Sequence, residues 1–190
     1  MPFIAFLGCD GCGKSTVLGG LEDHLKARGI EVSRGHWAPR RGGSSATGSA
    51  ENPHGKPPRG RMMSVAKLGY LGFKWWSGWC GGLRAQSRRG VLLFDRYHAD
   101  LLVDPLRYRY GGPLWLAKLA SAWMPQPDIV FFLDAAPEVL LSRKQEVSHE
   151  ALGASRRAYL SLASENPRLK VIDASQPLEL VIAAVIQEIE

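Results

Sequence analysis

The sequence predicts an α/β protein in which helices cover both faces of a five-stranded parallel sheet, making three layers. Three observations predict it. Five short apolar runs alternate with stretches whose apolar residues fall at helical spacing. The first run, Pro2-Phe3-Ile4-Ala5-Phe6-Leu7, leads directly into Gly8-Cys9-Asp10-Gly11-Cys12-Gly13-Lys14-Ser15-Thr16, a glycine-rich loop opening a helix. Two later runs end in charge, at Asp95-Arg96 and at Asp134. In open α/β sheets the carboxyl edge of the strands is the ligand side.

In chain order, the first run carries no charge and reads as a buried parallel strand. The loop after it fits G-x-x-x-x-G-K-[ST]. Its glycines let backbone N–H groups turn inward around phosphate oxygens, and the helix N-terminus adds partial positive charge. Lys14 is expected to reach the terminal phosphates and the Ser15 hydroxyl to ligate Mg²⁺. Gly8, Asp10, Gly11, Cys12, Gly13, Lys14, Ser15 and Thr16 are therefore the candidate nucleotide-binding residues. The plain alternative is a glycine-rich turn with a chance lysine. Val17, Leu18, Leu21 and Leu25 carry the helix to Gly29. A second strand spans Ile30-Glu31-Val32 up to Trp37.

Residues 38–60 contain no Val, Ile, Leu or Phe and are rich in Gly, Pro, Ser and Arg, so a loop ordered at most by ligand is expected. Arg40 or Arg41, leaving a strand's carboxyl end, is placed to meet an acceptor phosphate; a solvated basic loop is the equal alternative. Residues 61–89 read as mainly helical, with five aromatics between Tyr70 and Trp79. Core or subunit packing is the leading account of Trp75, Trp76 and Trp79, and contact with an anionic membrane surface the minor one.

Val91-Leu92-Leu93-Phe94 is a third strand, ending at Asp95-Arg96-Tyr97. The acid is placed to hold Mg²⁺ through water or to orient a nucleophile, and the arginine to grip a phosphate with two parallel hydrogen bonds. A structural ion pair is the alternative. Asp100, Asp104, Arg107, Tyr108, Arg109 and Tyr110 then crowd one stretch, read either as polar recognition or as an exposed helix and turn tied by ion pairs. Leu114 to Trp123 is a short helix. Ile129 to Leu133 is the fourth strand, ending at Asp134, with Pro137 and Glu138 suited to a helix start. Residues of about 144–150 interrupt the pattern as a short lid. A helix through Tyr159, a last strand over Leu169 to Ile172 and an amphipathic closing helix complete a single domain over 1–190.

The chain has 190 residues, 45% hydrophobic and 22% charged, with a formal net charge of +6, a balance that suits anionic ligands. Neither a long apolar span nor a cleavable signal is evident, so a cytoplasmic location is expected. Cys9 and Cys12 form a C-x-x-C, but both lie inside the phosphate loop and no second ligand pair follows, which argues against redox catalysis or a zinc site.

At this point the chain resembles the thymidylate kinases, P-loop nucleoside monophosphate kinases, over nearly its whole length. The resemblance rests on Phe6 to Thr16, on Phe94-Asp95-Arg96-Tyr97, on Leu133-Asp134-Ala135-Ala136-Pro137-Glu138 with Arg143, and on Val171-Ile172-Asp173-Ala174-Ser175. It implies a sheet of order 2-3-1-4-5, ATP with Mg²⁺ as phosphoryl donor, and often a homodimer. It implies that Arg96 binds the acceptor phosphate, that Asp95 supports metal or nucleophile, and that Asp10 meets the acceptor sugar. Arg143 would lie against the donor nucleotide, with Ala174, Ser175 and Gln176 near the adenine. Lys14, Asp95, Arg96 and Arg143 are then the candidate catalytic residues, and Ser15 and Asp95 the metal ligands. Asp10, Arg40, Arg96, Tyr97, Asp100 and Arg107 are the candidate acceptor contacts.

The departures fall on the acceptor and lid side. His36-Trp37-Ala38-Pro39-Arg40 replaces the family's Arg-Glu-Pro-Gly, and the Ser and Tyr-Gln after Asp-Arg-Tyr are absent. The lid is short, and Gly11 stands where some members carry an arginine. The stretch from Asp95 to Pro113 is also similar to thymidylate-kinase-like proteins of bacterial surface-polysaccharide gene clusters. Three functions are therefore expected in order: phosphoryl transfer to a nucleoside monophosphate, dTMP first; transfer to a sugar or other metabolite, with Asp95, Asp10 or Asp100 as candidate bases; or a nucleotide-binding switch. No nucleic-acid partner is expected.

Overall fold

A computed structural model describes residues 2–39, 57–143 and 148–189. Five strands form one parallel sheet in the order β2-β3-β1-β4-β5. They are β1 (Phe3–Leu7), β2 (Val32–His36), β3 (Val91–Asp95), β4 (Ile129–Asp134) and β5 (Leu169–Asp173). The order and the parallel sense are those expected. The three central strands are apolar on both faces because helices cover both; Phe3 to Leu7, Leu92, Leu93 and Phe131 are at most 1% exposed. Register brings their carboxyl ends level: Phe6 pairs with Asp95 across β1 and β3, and Leu7 with Phe132 across β1 and β4.

The helices are α1 (Lys14–Ala27), α2 (Arg61–Gly78), α3 (Arg84–Arg89), α4 (Asp100–Val103), α5 (Leu114–Trp123), α6 (Pro137–Arg143), α7 (His149–Glu165) and α8 (Leu178–Gln187). A π-helical turn, Trp79–Leu83, joins α2 to α3, and its Gly82 takes φ 148°, which breaks the helix there. The tryptophan cluster divides. Trp75 is fully buried against Phe3, Phe94, Tyr97 and His98, and Trp79 packs on Phe3. Trp76 instead sits at the surface, where its Nε1 donates to the Trp123 carbonyl.

Edge strand β2 reaches the core through Gly35. A Cβ there would lie 2.2 Å from the Phe94 ring, so only glycine lets β2 close on β3. The loop expected at 38–60 is described only at its ends. Ala38 is buried, while Pro57 and Arg59 are pinned to Arg109 through backbone and side-chain hydrogen bonds. Arg40 and Arg41, and most of the expected lid, lie outside the described residues. Among the described residues no helix is long and apolar enough to cross a membrane.

Candidate active site

The phosphate loop leaves β1 in the shape its glycines permit. Gly8, Gly11 and Gly13 take φ of 148°, 89° and 87°. A Cβ on Gly8 would sit 2.7 Å from Cys12 Sγ and 3.0 Å from the Leu133 carbonyl oxygen, so that position tolerates no side chain. Gly13 caps α1 in the left-handed conformation, and the exposed Ser15 and Thr16 stand in the first turn, with the helix N-terminus behind them. Lys14 is buried and folds back over the loop, donating to the carbonyls of Gly8 and Cys9 at 2.9 Å each. The ammonium thus lies over the loop's centre, held by oxygen atoms of the loop itself.

Both loop cysteines are free and buried. Burial, reinforced by neighbouring Cys12, pushes the Cys9 thiol up to about 12, so it carries no reactive thiolate at neutral pH. Among the described residues no three His, Cys, Asp or Glu side chains come together as a metal cluster. Mg²⁺ asks for something different, one or two hard oxygen ligands beside phosphates. Here the residues fit: Asp95 Oδ1 is buried without a hydrogen-bond partner at the end of β3, beside the strand that feeds the loop, and the Ser15 hydroxyl is exposed at the start of α1.

Next to this lies a second polar cluster. Arg96 follows β3 with φ 67°, a left-handed conformation that costs a non-glycine residue about 1–2 kcal/mol. That turn redirects its side chain from the strand's alternation toward the loop. Its Nη2 donates to Asp10 Oδ1 at 2.5 Å and its Nη1 to Asp100 Oδ2 at 2.7 Å. Arg107 donates to the other oxygen of Asp10. Burial alone would raise the Asp10 carboxyl, but the Arg96 and Arg107 guanidiniums outweigh it and hold Asp10 down to about 2. Asp10 therefore remains a carboxylate at any working pH.

Asp100 is 1% exposed and fully engaged, since it also accepts from Tyr159 at 2.8 Å and Tyr108 at 3.2 Å. It faces Arg96 rather than open solvent, so it positions that arginine and is not free to act as a base. Tyr97 departs from expectation as well. Its ring lies in the core against Phe3 and Trp75 and its hydroxyl donates to the Pro125 carbonyl, so the side chain faces the interior. The left-handed turn at Arg96 explains both placements, because it ends the alternation of the strand.

On the far side, Arg143 at the end of α6 donates to the Ala174 carbonyl at 3.0 Å, which joins the two segments expected near the adenine. Ser175 and Gln176 turn back on Asp173 through three hydrogen bonds and so fix that loop. Two features carried little sequence signal. Arg156 on α7 grips Asp134 through one edge of its guanidinium, Nε and Nη2 donating to the two carboxylate oxygens at 2.7 Å each, so the strand-terminal carboxylate is a structural partner for that helix. Only the need of Asp134 for a counter-ion pointed to it. Trp37 stacks on Tyr108 at 4.9 Å and 9°, with the Lys67 ammonium 5.9 Å from each ring. That stack stands at the end of β2, where the segment expected to differ from the family begins.

No family model matches the chain. Among curated relatives, the thymidylate kinase of Bifidobacterium longum is 30% identical over a 216-position alignment, which covers 99% of this chain and 97% of that one. The thymidylate kinase of Magnetococcus marinus is 28% identical, covering 99% and 95%. Among solved structures, the thymidylate kinase of Ehrlichia chaffeensis superposes with a TM-score of 0.66 at 20% identity, covering 99% of this chain and 98% of that one, and it supports the fold. End-to-end similarity of this kind, together with the loop, the Asp95-Arg96 strand end and the sheet order, places the chain in the thymidylate kinase family of nucleoside monophosphate kinases.

Proposed function

We propose that the chain transfers the γ-phosphoryl group of ATP to the 5′-phosphate of dTMP. The observation that carries this reading is the contact between two phosphate-binding elements: Asp10 of the donor loop is tied to Arg96, so a phosphate held by Arg96 lies beside the loop that holds ATP. A cytoplasmic location, where ATP is available, belongs to the same reading.

In this mechanism Lys14 exchanges the carbonyls of Gly8 and Cys9 for β- and γ-phosphate oxygens, and the loop amides hold the same phosphates. Ser15 and Asp95 are the residues that would hold Mg²⁺, whose chemistry is to neutralise charge on the transferred group. Arg96 aligns the acceptor phosphate. A phosphate monoester is already an anionic nucleophile at neutral pH, so no general base is required and positioning supplies most of the rate. Arg143, with Ala174 and Ser175, steadies the donor base. Asp100 keeps Arg96 in place from the buried side.

We also read the face between α2 and α5 as a surface on which two copies associate. Met62, Phe73, Trp115, Leu119 and Trp123 are each at least 60% exposed there, and a groove of about 480 Å³ between the helices is lined by Val65, Leu68, Phe73, Trp76 and Trp123. An apolar patch of this kind is uncommon on a monomer.

ADP release from ATP and Mg²⁺, measured alone and with dTMP, dUMP, UMP, CMP, GMP and a panel of sugars, tests the reading. Strong stimulation by dTMP is expected. Stimulation by a sugar and by no nucleotide, with ATP binding intact, would overturn it.

A further inference from the structure

Asp10 makes a contact that a phosphate loop does not require. Its two carboxylate oxygens are divided between two guanidiniums, one on Arg96 and one on Arg107. The three residues come from separate parts of the fold: the loop after β1, the turn after β3 and the segment between α4 and α5. A carboxylate bridging two arginines adopts the arrangement in which a phosphate monoester is gripped by two arginines.

The carboxylates around Arg96 are not equivalent. Asp100 is 1% exposed and has two phenol hydroxyls besides the arginine, so it is a permanent counter-ion. Asp10 is 18% exposed and Arg107 is 23% exposed, so their pairing is open to solvent and exchangeable. With Asp10 in place, two arginines face two carboxylates and the local charge is zero. With Asp10 turned away, the same site presents one net positive charge and two free guanidinium edges.

We infer that Arg107 is a second acceptor-phosphate ligand and that Asp10 is a built-in occupant of the Arg96–Arg107 fork, displaced when the acceptor phosphate enters. The inference rests on the proposed role of Arg96 and adds a requirement on the acceptor: its phosphate must compete with a carboxylate for two arginines. A neutral hydroxyl compound has no charge with which to displace a carboxylate from two arginines. The occupant also keeps free anions from settling in the site between turnovers.

The test uses the full chain loaded with a non-hydrolysable ATP analogue and Mg²⁺, so that the donor loop is filled, and titrates inorganic phosphate by calorimetry. Asp10→Asn is expected to bind phosphate about tenfold tighter than the unaltered chain, because a neutral amide holds the two arginines less strongly. Arg107→Ala is expected to bind it about tenfold more weakly, Arg107→Lys to lie between, and Asp10→Asn with Arg107→Ala to lose the gain. Because Asp10 lies in the donor loop, thermal melting followed by circular dichroism, rather than affinity for the ATP analogue, serves as the folding control for every variant. Phosphate binding no tighter in Asp10→Asn, or a gain that survives loss of Arg107, would overturn the inference. Turnover of dTMP without that gain leaves the proposed function standing and this inference refuted. The gain without turnover of any nucleotide does the reverse.

Discussion

Replacing Arg96 is the direct test of acceptor binding, and the structure predicts that the simplest replacement mixes two effects. Arg96→Ala removes the guanidinium proposed to grip the acceptor phosphate, and it also leaves Asp100, 1% exposed, without its counter-ion. Breaking a buried pair by deleting one partner costs about 3–5 kcal/mol. The hydroxyls of Tyr159 and Tyr108 remain on Asp100, which favours the lower end, about 3 kcal/mol. A domain of ordinary stability survives that loss at 25 °C but melts earlier. Adding Asp100→Asn removes the stranded charge, so the double variant should regain about 2 kcal/mol. The catalytic loss should not recover. Both variants are expected to lose about 10²–10³-fold in kcat/KM for dTMP, the scale for removing one donor to transition-state charge, with ATP-analogue affinity within a few-fold. Urea unfolding and steady-state kinetics on the same preparations separate the two effects. If the double variant recovers turnover together with stability, Arg96 acts by holding the fold and its acceptor role is refuted.

Other outcomes follow from single sites. Burial holds the His98 imidazole neutral, down to about 3, while in the unfolded chain it titrates near its ordinary 6.5. The unfolded state therefore binds the extra proton between these values; stability from this residue is complete above about pH 6.5 and falls on acidification, by about 2 kcal/mol at pH 5. Urea unfolding across that range checks it, and His98→Gln should flatten the slope. Gly8→Ala places a methyl 2.7 Å from Cys12 Sγ and 3.0 Å from the Leu133 carbonyl at φ 148°, so ATP-analogue affinity should fall more than about tenfold. Adding Cys12→Ala should restore only part, because the carbonyl contact and the backbone strain persist. Trp123→Asp on the α2–α5 face should convert a species of twice the 20.9 kDa chain mass into one of single mass in sedimentation velocity. A wild-type chain that sediments singly at micromolar concentration would refute the association.

The strands and the donor loop were legible because their signals are local. A charge-free run such as Ile129 to Leu133 has few fates besides a buried strand, and glycines at 8, 11 and 13 permit the left-handed backbone that the loop adopts. The acceptor side was legible in residue types but not in roles. Asp100 and Arg107 drew notice as charges in one stretch, yet their partners lie across the fold: Arg107 meets Asp10 from 97 positions away, and Tyr159 reaches Asp100 from 59. No periodicity encodes such pairings. The interior placement of Tyr97 was not legible for a local reason, since adjacency to Arg96 suggests a shared destination and the left-handed turn at Arg96 sends the two side chains apart. The pairing of Arg156 with Asp134 depends likewise on how α7 docks on β4.

That turn makes Asp95-Arg96-Tyr97 a short lever with its fulcrum in the interior. One arm is the Tyr97 ring, 1% exposed and tethered to the Pro125 carbonyl, and the other is the Arg96 guanidinium, which meets Asp10 and is proposed to grip the acceptor phosphate. Whatever shifts the interior arm moves the working arm, and displacement of about 1 Å at a reacting centre suffices to cost about 10²-fold in rate. Substitutions at Phe3 and Trp75, which pack on the Tyr97 ring, are therefore expected to tune turnover through packing that has no chemistry of its own.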